Sequence, residues 1–245
     1  MLKKGTHIFL GLALLYLGWT YTPAGEYLAE TWYDWTTDQQ PIWTQNDIDS
    51  VLNQLPTLAY DQLDAKYRKY IQSIDPEQAN ILEGQRFYVV SGQEIFRYIA
   101  GDFRIRDFLP RDSYFYRSLR LFSINRDQYW LVDRQLLYKV LELQNLLYRK
   151  GFNQDGFTIV EGFRHPRINV ESGGTAASRH LLGQAVELEI GDINGNGKAD
   201  KEDKDLLLGL LEEQIIGDMG GIGHNPGTMS VHFDVRGYKA RWAQE

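Results

Sequence analysis

Two short segments with the same two-residue rhythm limit most strongly how this chain can fold. Val186, Leu188 and Ile190 alternate with Glu187 and Glu189, and Val231, Phe233 and Val235 alternate with His232, Asp234 and Arg236. A period of two belongs to a strand whose side chains point to opposite faces. Each segment therefore reads as a strand with an aliphatic face to bury and an ionisable face turned away from it. If the two strands are neighbours in one sheet, Glu187 and His232 share a face. Gly183 fits a turn just before the first strand, so that His180 leans in from the preceding loop.

Two imidazoles and one carboxylate arranged in this way form a donor set suited to Zn²⁺. Neutral imidazole nitrogens and a carboxylate oxygen hold the ion in a roughly tetrahedral shell, and a three-ligand set leaves one position to water. Such a water ionises near neutral pH and attacks carbonyls. His180, Glu187 and His232 are the candidate ligands.

Four blocks occur in order around these residues. They are Glu161-Gly-Phe-Arg164-His-Pro166, then Ser178-Arg-His180-Leu-Leu-Gly183-Gln-Ala-Val-Glu187, then Gly220-Gly-Ile-Gly223, then Val231-His232-Phe-Asp234-Val-Arg236. The series resembles the zinc D-alanyl-D-alanine peptidases and murein endopeptidases that share a fold with the hedgehog signalling domain. The resemblance covers roughly residues 130 to 242. It implies an α+β domain with an antiparallel sheet and packed helices. It also implies metal-ligand roles for His180, Glu187 and His232, and an oxyanion-stabilising role for Arg164. The expected substrate is the peptide part of peptidoglycan, a stem peptide or a cross-link, cut by a carboxypeptidase or an endopeptidase.

The chain departs from the family pattern at Glu187, where Asp is usual. The extra methylene moves the oxygen by about 1.5 Å unless the strand or rotamer adjusts. Two readings follow: an active zinc site with adjusted geometry, or a degenerate member serving as a cell-wall binding or scaffold protein. A general base must lie within hydrogen-bond reach of the attacking water. Asp234 and Glu189 are the candidates, each two residues from a ligand on the same strand face. Asp234 has an alternative role in orienting a ligand histidine through its second ring nitrogen. His165 and His224 read as ordinary loop histidines.

A second metal signature lies between the two strands. In the segment 192–203, Asp192, Asn194, Asn196, Asp200 and Asp203 fall at positions 1, 3, 5, 9 and 12 of an EF-hand-like loop, with Gly197 at position 6. Lys198 falls at position 7, where the backbone carbonyl ligates. The loop resembles the calcium loop of dockerin-type repeats, with Asp203 at its last position. Its expected role is a structural Ca²⁺ site, and the plain alternative is an Asp/Asn/Gly-rich turn.

The N-terminus bears on compartment. Lys3 and Lys4 precede an apolar run from Ile8 to Tyr21, the pattern of a secretory leader or a short membrane anchor over residues 1–25. The expected location is the periplasm or cell envelope, with tethering to the inner membrane as one form of it. The chain has no cysteine and a net charge of −7. That excludes a disulfide framework and argues against a nucleic-acid partner, which would need a basic face.

Residues 26–125 are expected to form a mainly helical N-terminal region of unknown role, and 126–245 the zinc domain. Within the first, Thr31 to Trp43 reads as a spacer. Ile48, Val51, Leu52 and Leu55 predict a helix capped by Thr44 or Asn46, and Leu63, Tyr67, Tyr70 and Ile71 a second. Phe87–Val90 predicts a strand. Arginines and aromatics over 100–125 read as a half-buried surface. Asp133 opens an amphipathic helix with Leu136, Val140, Leu143 and Leu147 on its inner stripe, ending at Lys150-Gly151. Phe157–Val160 predicts the strand leading to Arg164.

Overall fold

The computed structural model describes residues 23–72, 75, 78, 80–118 and 127–243. The expected leader falls almost wholly outside them. Among the described residues no helix is long and apolar enough to cross a membrane. The elements run α1 (Pro23–Thr36), α2 (Gln45–Gln54), β1 (Thr57–Ala59), α3 (Ala65–Ile71), β2 (Arg86–Val90), β3 (Tyr98–Ala100), β4 (Phe103–Arg104), α4 (Ser113–Ser118) and β5 (Gln128–Trp130). They continue with α5 (Arg134–Arg149), β6 (Phe157–Glu161), α6 (Pro166–Glu171), β7 (Ala185–Ile190), α7 (Lys201–Leu210), β8 (Gly221–His224), β9 (Ser230–Asp234) and β10 (Ala240–Ala243).

The five-stranded sheet has the order β10-β8-β9-β7-β6. Its pairings are antiparallel except at the edge, where β10 runs parallel to β8. The fold is thus α+β. The alternation within β7 and β9 is realised as expected: Val186, Leu188, Ile190, Val231 and Phe233 are all buried. Burying each such side chain contributes about 1.5–3 kcal/mol relative to exposure. A one-residue slip would turn that face to solvent, so burial also fixes the register. The register sets Glu187 opposite His232.

Helix α5 begins where the sequence places it. Asp133 accepts a hydrogen bond from the Gln135 N–H, and Leu136, Val140, Leu143 and Leu147 are buried. Thr44 caps α2 through the Asp47 N–H, and Asp64 caps α3 through the Lys66 and Tyr67 N–H groups.

Two expectations need correction. Thr31–Trp43 is not a spacer: residues 31–36 belong to α1, and Ile42 bridges Gly101. Helix α1 is held by charge. Arg104 pairs with Glu30 at 2.8 Å and Asp34 at 3.0 Å, and Arg106 pairs with Glu26 at 3.2 Å and Glu30 at 2.8 Å. Nor does position 125 divide the core. Strand β5 completes a three-stranded sheet with β1 and β2, with Trp130 opposite Tyr88, and one buried hydrophobic cluster includes residues from Ala29 to Phe233.

Candidate metal centre

The three expected ligands come together from three places. His180 sits in a single helical turn, Arg179–Leu182, closed by Gly183 at φ +63°. The turn is stitched to the loop after β6: the Arg164 N–H donates to the His180 carbonyl at 3.1 Å, and His180 Nδ1 donates to the Gly162 carbonyl at 2.6 Å. Glu187 and His232 face each other across β7 and β9. Glu187 Oε1 lies 2.9 Å from His232 Nδ1 and 3.4 Å from His180 Nε2, and the two nitrogens are 3.2 Å apart. Ligands roughly 2.0–2.1 Å from a tetrahedral zinc are separated by about 3.3 Å, close to this triangle. Among the described residues no other group of three His, Asp or Glu places its ligand atoms within 4.8 Å of one another. The longer Glu187 side chain therefore still closes the set, and the Ser230 hydroxyl donates to its other oxygen at 3.3 Å.

Proton bookkeeping makes the convergence meaningful. A carbonyl only accepts, so His180 carries its proton on Nδ1 and aims a lone pair from Nε2. His232 Nε2 lies 3.0 Å from Asp234 Oδ2, so this ring donates there and aims its Nδ1 lone pair at the same point. Three acceptor atoms then meet with no proton among them, an arrangement that repels itself unless a positive charge joins it. Without a metal ion, a proton on the histidines is the positive charge that joins the carboxylate. Burial pushes the Glu187 carboxyl up, but hydrogen bonds and charge from His180 and His232 outweigh it and hold it well below the usual carboxylate range. Burial lowers the His180 pKa. At His232 burial acts the same way, yet Asp234 and Glu187 outweigh it and raise the pKa. The donor set and its geometry fit a zinc-type divalent ion.

Asp234 is fully buried and spoken for. Besides His232 it accepts from the Gly221 N–H at 3.1 Å, the Arg236 N–H at 3.1 Å and the Arg236 side chain at 2.8 and 2.5 Å. Burial raises its pKa, but His232 and Arg236 hold it well below the usual range. Of its two expected roles, this geometry gives Asp234 the orienting one. Glu189 is exposed on β7, and neither acid lines the cleft over the metal triad.

That cleft has a volume of about 370 Å³, and Arg164 lines it. The Arg164 guanidinium is held by Glu161 at 2.5 Å, while its buried Nε has no partner. His165 is a structural residue: it caps α6 through the Ile168 N–H and meets Asp112 Oδ2 at 3.0 Å. His224 is different. It ends β8, lines the cleft, and has a buried Nδ1 with no partner. Trp242 also lines the cleft, with its ring 4.9 Å from that of His232. Gly223 permits this approach, since a Cβ there would stand 2.3 Å from the indole. The sequence carries no spacing signal for Trp242, because β10 joins this sheet in parallel after a loop.

The loop 192–203 keeps the expected turn, with Gly197 at φ +86°. Its oxygens serve its own backbone. Asp192 accepts from the Gly195, Asn196 and Gly197 N–H groups, Asn194 from Asn196, and Asn196 from Lys198. Asp200 caps α7, and buried Asp203 accepts from Ile193, Asn194 and Asp200 at 2.8–3.0 Å. The carboxylates of Asp192, Asp200 and Asp203 do not converge as the donor atoms of His180, Glu187 and His232 do. These hydrogen bonds hold the turn in the expected shape.

Comparison with protein-family models, curated proteins and solved structures returns no match to the chain.

Proposed function

We propose that this chain is a zinc-dependent peptidase that hydrolyses an amide bond in the peptide part of peptidoglycan, as a D,D-carboxypeptidase or an endopeptidase. The observation that carries the reading is the convergence of the His180, Glu187 and His232 lone pairs beside an open cleft. Bound there, zinc would supply Lewis acidity toward a carbonyl and lower the pKa of a water. Asp234 keeps the His232 proton on Nε2, so that Nδ1 remains a ligand. Arg164 offers its unpartnered N–H to negative charge that develops on a carbonyl oxygen. His224 is the one acid–base side chain lining the cleft, among the described residues, that is neither a ligand nor an arginine. It takes the proton-transfer role that neither Asp234 nor Glu189 is placed to fill.

The proposed location is the cell envelope, tethered through the N-terminal segment. Tyr27, Trp32 and Trp35 are exposed on α1, directly after the apolar run from Ile8 to Tyr21. Tyr and Trp favour membrane–water interfaces. One observation favours a degenerate, cell-wall-binding alternative: Glu161 occupies the guanidinium of Arg164. Incubating the zinc-loaded protein with purified muropeptides separates the two. Fragments that appear by mass spectrometry, vanish with a chelator and return with zinc support the peptidase. Sacculus binding without any fragment supports the alternative.

A further inference from the structure

Three arginines line the cleft beside the metal triad, and they are not equivalent. Arg164 is held by Glu161 at 2.5 Å and Arg236 by Asp234 at 2.5 Å. Arg179 has no carboxylate partner among the described residues. Its Nη2 donates to the Tyr238 hydroxyl at 3.0 Å, its Nη1 reaches Gln184 Oε1 only at 3.5 Å, and its Nε is buried with no partner. A half-buried guanidinium with an unanswered N–H is a costly arrangement, and an anion would relieve it.

The surroundings prepare that group for a ligand. Arg179 immediately precedes His180 in the same single turn, so its position is tied to a metal ligand. The Tyr238 ring lies 5.9 Å from the Arg179 guanidinium and 5.7 Å from that of Arg236. Tyr238 therefore steadies both cations on the same side of the cleft. Glu187 is the only carboxylate among the described lining residues, against three arginines, in a chain whose net charge is −7. Glu161 and Asp234 answer two of these arginines, so Arg179 is the lining guanidinium without a carboxylate of its own among the described residues. The flat fork of a guanidinium matches a carboxylate with two parallel hydrogen bonds.

We infer that Arg179 is the carboxylate-recognition residue of this cleft, and that the preferred peptide presents a free carboxylate to it. The inference rests on the peptidase reading and narrows it. The carboxylate is either the peptide's C-terminus or an acidic side chain, and the test separates the two.

The experiment uses the full zinc-loaded chain and one synthetic stem peptide in three forms. The first has a free C-terminus and free acidic side chains, the second a C-terminal amide, and the third amidated side chains. Calorimetric binding and kcat/KM are both measured for the wild type, Arg179→Gln and Arg179→Lys. In the wild type, masking the recognised carboxylate should weaken binding roughly ten- to hundredfold, mostly through KM. Whichever amide causes the loss identifies the source. Arg179→Gln should erase the difference between the peptides, and Arg179→Lys should recover part of it, having charge without the fork. Equal affinity of the wild type for all three forms overturns the proposal. So does an Arg179→Gln protein that keeps the full preference. If no form is cleaved, the peptidase reading fails while calorimetry still decides the carboxylate site. If Arg179→Gln lowers zinc content, the comparison passes to Arg179→Lys, where an undiminished preference for two-point recognition overturns the proposal.

Discussion

Two polar regions of this molecule look alike as strings of letters and differ as chemistry. At the β7/β9 corner, His180 and His232 have their far-side ring protons held by Gly162 and Asp234, and their free nitrogens meet the Glu187 carboxylate within 3.4 Å. In the 192–203 loop, the side-chain oxygens turn back onto N–H groups two to ten residues away. The contrast teaches a rule about ligand spacing. Oxygens close together in sequence can satisfy their own turn, and their register alone does not require an ion. Side chains 52 residues apart that point lone pairs at one spot gain nothing from each other without a cation.

The comparison can be broken in three places. Arg164→Ala bears on whether the corner performs chemistry as well as holding a metal. It should lower kcat on muropeptides by about 10²–10³ while zinc content stays at the wild-type level. An unchanged rate would show that Arg164 serves only Glu161. Asp234→Asn tests whether the corner is organised from outside, since the amide cannot bind the His232 proton and Arg236 as a carboxylate does. Zinc affinity measured by competition with a chromophoric chelator should fall about 10–100-fold. An unaltered affinity would leave His232 oriented by the strand alone.

The smallest effect concerns the loop. Asp203→Ala orphans three backbone donors and should cost about 1–3 kcal/mol by denaturant titration, equally with and without calcium. Burial raises the Asp203 pKa, but those three N–H groups outweigh it and lower it overall. Its contribution is therefore present above the unfolded value of about 3.9 and is lost as pH falls through the lower folded value. A melting temperature that rises with calcium in the wild type, and stays flat in Asp192→Ala, would restore the calcium reading of this loop.

Much of the corner was legible because its signals are local and periodic. Alternation in 185–190 and 230–236 fixes which residues are buried, and burial fixes the register that sets Glu187 across from His232. Helix α5 was legible for a similar reason, with an apolar stripe behind an Asp cap. Helix α1 was not, because it inverts the usual pattern. It turns Glu26 and Glu30 toward Arg104 and Arg106 and leaves Tyr27, Trp32 and Trp35 exposed. A search for an apolar inner face passes over such a helix. The same limit hid Arg179, Arg236 and Trp242, whose place in the cleft depends on turns and on a parallel edge strand. The capping part of Asp203 depended on where α7 begins, which puts it three residues after the Asp200 cap whose N–H it accepts.

The central claim is that three distant side chains form one divalent metal site. Metal analysis of the purified full chain after dialysis against trace zinc tests it most directly, with His180→Ala alongside. The account predicts close to one zinc per wild-type chain and almost none in the variant. Wild-type protein that emerges free of zinc, or a variant that retains the full amount, would contradict it.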